Sequence, residues 1–145
     1  MLDTPGHTPE HTAFATTAGL VSGDLVVAEG SVVVGAPEGD MRAYLSSLRR
    51  ILARGPARLF PAHGPQIDTP AAVCRRLIAH RLRRERRVLA AVQGGAHSLQ
   101  AILDRAYDRD LTGVQSLARA TVRAHLEKLA VEGKIVWDGE CAQPA

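Results

Sequence analysis

At 145 residues the chain has room for one domain or two small ones, and 46% hydrophobic with 23% charged residues excludes a disordered or fibrous protein. No apolar run approaches the roughly 20 residues of a membrane helix, and Met1-Leu2-Asp3-Thr4-Pro5 lacks the basic-then-apolar layout of a signal peptide. The expectation is a cytoplasmic protein with no membrane partner.

The opening, Thr4-Pro5-Gly6-His7-Thr8-Pro9, is loop chemistry. His11–Thr16 and Leu20–Ser22, separated by Ala18-Gly19, read as a hairpin pair or successive strands, and Ser31–Val34 is another short β-branched run. Asp40 then caps a helix with Met41, Tyr44, Leu45, Leu48, Ile51 and Leu52 on one face, which Gly55-Pro56 ends. Arg58–Phe60 is a short strand, followed at once by the loop Pro61-Ala62-His63-Gly64-Pro65. From Thr69-Pro70 the texture turns helical. Val73, Leu77, Ile78 and Leu82 make one apolar stripe, and Val88, Leu89 and Val92 make another across a charged stretch. After Gly94-Gly95, Ser98 caps a helix over Leu99–Tyr107, and a longer helix runs from about Val114 to Glu132. Gly133 ends it, and Lys134–Trp137 is a strand turning at Asp138-Gly139. Two helices, a longer helix and a strand-turn follow the order of a winged helix.

The net charge of +3 hides an asymmetry: residues 1–70 carry 5 Lys+Arg against 7 Asp+Glu, and residues 71–145 carry 13 against 8. The surplus gathers in Arg75–Arg87, with seven arginines and one glutamate. Such a cluster suits an anionic partner. It is equally a solvated helix face in a chain that uses 16 Arg and only 2 Lys. The two cysteines have neither metal-ligand spacing nor a disulfide framework, so Cys74 reads as a small core residue and Cys141 as a tail thiol.

Three loop residues carry candidate chemistry: His7, Asp24 in Ser22-Gly23-Asp24, and His63. Singly, each histidine reads as an exposed loop residue and Asp24 as a turn residue or cap. Together, two histidines and an aspartate in glycine-containing loops beside strands are a donor set that suits Zn²⁺.

Thr4-Pro5-Gly6-His7-Thr8, Ser22-Gly23-Asp24 and Pro61-Ala62-His63-Gly64-Pro65, in this order, resemble the last three metal motifs of metallo-β-lactamase-fold hydrolases. With its helical tail the whole chain resembles the C-terminal part of the β-lactamase-like protein 2 group, whose members append a winged-helix domain. The resemblance implies an α/β fold: the second half of an αββα sandwich (1–70), a basic linking helix (71–93) and a small winged-helix domain (94–145). It implies two zinc ions in the complete enzyme, with His7 on the first, His63 on the second, and Asp24 as the catalytic carboxylate bridging them. The nucleophile would be a bridged hydroxide. His11 matches a second histidine common in the family and reads as a residue supporting the ligands. His80 and Arg81, in Ile78-Ala79-His80-Arg81, are either substrate contacts or plain helix surface. The implied activity is endoribonuclease cleavage of single-stranded RNA or another anionic substrate. The alternatives are a thioester or lactone hydrolase, or a winged-helix module for nucleic-acid or protein binding, with Arg119 and Arg123 as its candidate phosphate contacts.

The family's His-x-His-x-Asp-His motif is absent: none of His7, His11, His63, His80, His97 and His125 are spaced i, i+2. A zinc ion with an open position wants about three protein ligands. The chain alone is therefore expected to hold an incomplete site and to be inactive. Its partner is expected to be a missing N-terminal half, or a second copy in a homodimer. An uncovered sheet face is expected with it. Met1 abuts the Thr4 motif where an apolar strand residue would be expected. The arginine bias suggests a GC-rich genome, in which an internal GTG codon is readily taken as a start. The expectation is that the upstream DNA encodes roughly a hundred or more further residues, including the absent motif.

Overall fold

The computed structural model describes residues 1–108 and 110–145. They divide into two compact units: Met1–Val34 with Glu38–His80, and Gly35–Pro37 with Arg81–Ala145.

In the first unit, β1 (Leu2–Asp3), β2 (Thr12–Ala15), β3 (Leu20–Gly23) and β4 (Leu59–Pro61) form a sheet in the order β1-β2-β3-β4. β2 runs antiparallel to both β1 and β3, and β3 is parallel to β4. The β2–β3 hairpin closes on Thr16, whose hydroxyl accepts from the Ala18 and Gly19 amides. Side chains alternate across the sheet, so Ala13, Leu20, Ser22 and Leu59 are buried. The opposite face carries Phe14 (49% exposed), Val21 (40%) and the half-buried Phe60 as one cross-strand row.

Parallel strands need a crossover, and α1 (Met41–Arg54) supplies it. Asp40 caps α1 as expected, its carboxylate accepting from the Ala43 amide at 2.9 Å, and Gly55 ends it in the left-handed conformation. Met41, Tyr44, Leu45, Leu48 and Ile51 are fully buried, each such side chain contributing roughly 1.5–3 kcal/mol relative to exposure. Ser31–Val34 is a correction. It forms no strand; Val32 and Val34 are buried from an irregular segment instead.

α2 (Pro70–Gln93) is one helix. Near its start Arg76 donates to the carbonyls of Val27, Ala28 and Gly30, clamping that loop. Its buried line is Cys74, Leu77, Arg81, Glu85, Val88 and Val92, not the two stripes read from hydropathy; Val73, Ile78, Leu82 and Leu89 are half-buried. Cys74 is buried as expected, and burial pushes its thiol up to about 11.

The second unit packs the later turns of α2 with α3 (Leu99–Ala106) and α4 (Gln115–Val131) around Val88, Val92, Ile102, Leu103, Val122, Leu126 and Leu129. Ser98 caps α3 through the Ala101 amide. β5 (Ile135–Trp137) and β6 (Ala142–Pro144) form an antiparallel ribbon whose turn is held by Asp138, which accepts from the Glu140 and Cys141 amides. Cys141 is half-buried and bridges to Ser98, so it is no loose tail thiol. Between α2 and α4 lies a buried charged group. Lys128 Nζ donates to Glu85 Oε1 at 2.7 Å, His125 Nδ1 lies 3.4 Å from Glu85 Oε2, and Lys128 also pairs with Glu132 at 2.8 Å. Among the described residues, no helix is long and apolar enough to cross a membrane.

Candidate metal centre

The topology gathers the candidate residues. Because β1 and β3 both run antiparallel to β2, and β4 is parallel to β3, the ends of β1, β3 and β4 lie along one sheet edge. His7 follows β1, Asp24 follows β3, and His63 follows β4. β2 starts at that edge, with His11 just ahead of it. Ligand sites in α/β sheets gather at such strand ends. Gly23 pairs with Pro61 across the parallel strands, and the Ala62 amide donates to the Gly23 carbonyl at 3.0 Å. That bond sets the Asp24 and His63 loops side by side, and His63 Nε2 lies 3.3 Å from Asp24 Oδ1. Both side chains face solvent, at 80% and 41% exposure.

The His7 loop is closed at both ends. The Thr4 amide donates to the His11 carbonyl at 2.8 Å, Ser47 Oγ donates to the Pro5 carbonyl at 2.8 Å, and the Asp40 amide donates to the Gly6 carbonyl at 3.0 Å. Gly6 is required here: at φ +135° a Cβ would lie 2.3 Å from the Tyr44 backbone. His7 Nδ1 meets the Val33 carbonyl at 2.8 Å. A carbonyl only accepts, so Nδ1 is the donating nitrogen and Nε2 is the ring atom left for a ligand. Metal-ligating histidines are commonly oriented in this way.

His11 Nδ1 meets Thr4 Oγ1 at 2.8 Å, and its Nε2 lies against Gly23, where a Cβ would stand only 2.7 Å away. Burial holds its pKa below the ordinary histidine value; the nearby His7 pushes the same way, and Thr4 and Asp24 only partly oppose it. His11 thus touches the residue preceding Asp24 and feels both His7 and Asp24. Its ring is half-buried and tied to Thr4.

Two of the three expected donors are in contact, and the third, His7, is held by the Val33 carbonyl. Yet among the described residues no three His, Cys, Asp or Glu side chains are arranged to hold a metal ion. Zinc wants about three protein ligands and an open position, so these residues alone do not make up a zinc site. His80 and Arg81 lie on α2. Arg81 is 3% exposed, which corrects its reading as plain helix surface; His80 is half-buried. The sequence reading missed Thr4, a buried threonine whose hydroxyl orients His11. Its signal was the threonine opening the same motif that holds His7.

No family model matches the chain. The chain is 36% identical over 139 residues to a β-lactamase-like protein 2 homolog from Drosophila melanogaster, covering 93% of the chain and 46% of that protein. A Caenorhabditis elegans homolog of the same name is 28% identical over 138 residues, covering 93% and 45%. An atrochrysone carboxyl ACP thioesterase from Aspergillus fumigatus is 34% identical over 92 residues, covering 62% and 28%. A metallo-β-lactamase family protein from Thermus thermophilus superposes with a TM-score of 0.82 at 25% identity, over 99% of the chain and 48% of that structure. The chain shares its fold with the metallo-β-lactamases. A β-lactamase domain protein from Burkholderia ambifaria agrees, with a TM-score of 0.79 at 27% identity over 97% and 46%. The chain spans about half the length of the curated relatives it matches. The metallo-β-lactamase fold of these neighbours accounts for the mixed sheet and for loops gathered at one strand edge.

Proposed function

We propose that the chain supplies one part of the active site of a metal-dependent hydrolase, with His7, Asp24 and His63 as donors and the remaining ligands coming from a segment outside these residues. The observation that carries this reading is the convergence of the His7, His11, Asp24 and His63 loops at one sheet edge, with Asp24 and His63 3.3 Å apart. Zinc is the metal that this donor set suits, and hydrolases of this fold are its relatives. The uncovered row Phe14, Val21 and Phe60 fits a second layer packing on the sheet. An apolar sheet face is a natural interface.

Single-stranded RNA is the favoured substrate class. The β-lactamase-like protein 2 relatives match 139 and 138 residues, tail included, whereas the thioesterase match spans only 92. Thioester hydrolysis is the second reading, favoured by that relative's name. The second unit is read as a winged helix from the order of α3, α4 and the β5–β6 ribbon. Its role is packing or dimerisation rather than base readout, because Arg119 already donates to Gln100 and Arg123 pairs with Glu127.

Complementation tests the proposal. Co-expression with the part of the Drosophila relative that this chain does not match should give zinc-dependent hydrolysis of single-stranded RNA. Asp24→Ala should then lower the rate by at least about 100-fold, since even residues that merely support a ligand cost 10–100-fold. Full turnover by that variant, or turnover indifferent to chelators, would remove Asp24 from the site and the metal from the reading.

A further inference from the structure

Eight of the fifteen described arginines are already engaged. Arg76 clamps a loop, Arg84 donates to the Ala106 carbonyl and lies over the Tyr107 ring, and Arg87 pairs with Asp108. Arg105 donates to the Gly94 carbonyl, and Arg58 pairs with Asp68. Among the described residues, the outer face of α1 is free of such partners, as are Arg75, Arg83 and Arg86 on α2. Its sequence holds four arginines, Arg42, Arg49, Arg50 and Arg54, and no acidic residue. All four are exposed, and among the described residues none makes a hydrogen bond or ion pair. Arg42 and Arg49 are seven residues apart and share one stripe of the helix, with Arg50 beside it. They border an open groove of about 540 Å³, lined by Pro5, Asp40, Arg42, Ser46, Arg49 and Arg50. Asp40 puts a carboxylate there, but that carboxylate caps α1. Pro5, in its lining, lies two residues before His7, so the groove borders the His7 loop as well as the helix.

We propose that this arginine face is a binding track for the phosphate backbone of a single-stranded nucleic acid, feeding the strand-edge site. Seven helical residues span about 10 Å, too far for Arg42 and Arg49 to converge on one small anion. They suit a chain of successive negative charges. The lining has no aromatic side chain on which a base would stack, so the contacts are to phosphate and indifferent to sequence. A membrane surface fits less well, because Met41, Tyr44, Leu45, Leu48 and Ile51 of α1 are buried and Leu52 is half-buried, leaving the arginine face no exposed large apolar side chain to insert. The inference rests on the hydrolase reading for what lies at the end of the track. Its test reads binding without metal or turnover, so either can fail alone.

Anisotropy of a labelled oligouridine, titrated with the full chain across 50–200 mM salt, reads the contacts directly. The triple variant Arg42→Gln/Arg49→Gln/Arg50→Gln should bind about tenfold or more weakly at low salt. Its log–log salt slope should be shallower by roughly 2, at about 0.7 per lost phosphate contact. The control, Arg75→Gln/Arg83→Gln/Arg86→Gln, removes three exposed arginines of α2 and should change binding less. Circular dichroism should show both variants folded, since none of the six positions makes a hydrogen bond. Unchanged affinity and slope in the α1 variant would overturn the proposal. So would a larger loss in the α2 control, or tight binding to anionic vesicles that the α1 variant abolishes while oligouridine binding persists.

Discussion

A methyl group on Gly23 would stand 2.7 Å from His11 Nε2, and the φ of +53° there already disfavours any side chain. The left-handed conformation costs an L-residue roughly 1–2 kcal/mol, but the clashing atom belongs to a ring that can swing aside. Gly6 has no such relief, because its added Cβ would meet the Tyr44 backbone at 2.3 Å. Gly6→Ala should therefore lower the urea midpoint more than Gly23→Ala. Gly23→Ala should instead move the His11 ring, visible in its imidazole NMR shifts. Equal tolerance at the two positions would mean that the His7 loop does not lie on α1 as described. The glycines beside His7, Asp24 and His63 were legible in the sequence as turn chemistry. The direction of each ring was not, since it depends on Val33 and Thr4 hydrogen bonds made after the chain has folded.

Between α2 and α4, Glu85, His125 and Lys128 form a buried group that hydropathy could not reveal. Arg81 and Glu85 occupy inward positions of the α2 line, and charged residues read as outward-facing break one stripe into two. The partners of Glu85 on α4, His125 and Lys128, are some forty residues away in sequence. Local signals survived better: Asp40, Ser98 and Gly55 act within one helical turn, and each stands where the pattern put it. Ser31–Val34 shows the converse, β-branched residues with no strand beside them to pair.

The same group sets how the second unit responds to pH. Burial holds the His125 pKa below its ordinary 6.5; Glu85 partly opposes this, while Arg81 and Lys128 reinforce it. The unfolded chain thus binds a proton that the native state refuses, and stability falls as pH drops below about 6.5. Burial pushes the Glu85 carboxyl up, but hydrogen bonds from His125 and Lys128 outweigh it, leaving the pKa below the ordinary 4.5. That contribution is present above 4.5 and lost as pH falls through the native value, so both groups act in the same direction. Trp137, the single tryptophan, packs against the core of this unit and reports its unfolding. The urea midpoint read by Trp137 should fall between pH 7.5 and 5.5, and His125→Phe should flatten that fall. An unchanged slope in the variant would clear His125 of the effect. Glu85→Ala, which strands a buried Lys128 with only Glu132, should cost about 3 kcal/mol, the lower end for a broken buried pair.

At the scale of the whole molecule, the sheet presents Phe14, Val21 and Phe60 on one face, and the chain spans about half of its relatives. Phe14→Ser with Val21→Ser should reduce self-association in sedimentation. The stability change should stay within about 0.5 kcal/mol per site, as at other exposed positions. A large loss of stability would mean that the row is already packed. The donor set has the same one-sided character, with Asp24 and His63 in contact, His7 oriented, and no third ligand in reach among the described residues. Zinc content after dialysis measures this directly. Well under one tightly held zinc per chain is expected when the chain is purified alone, rising when the unmatched part of the relative is co-expressed. Two zinc ions bound tightly to the lone chain would contradict it.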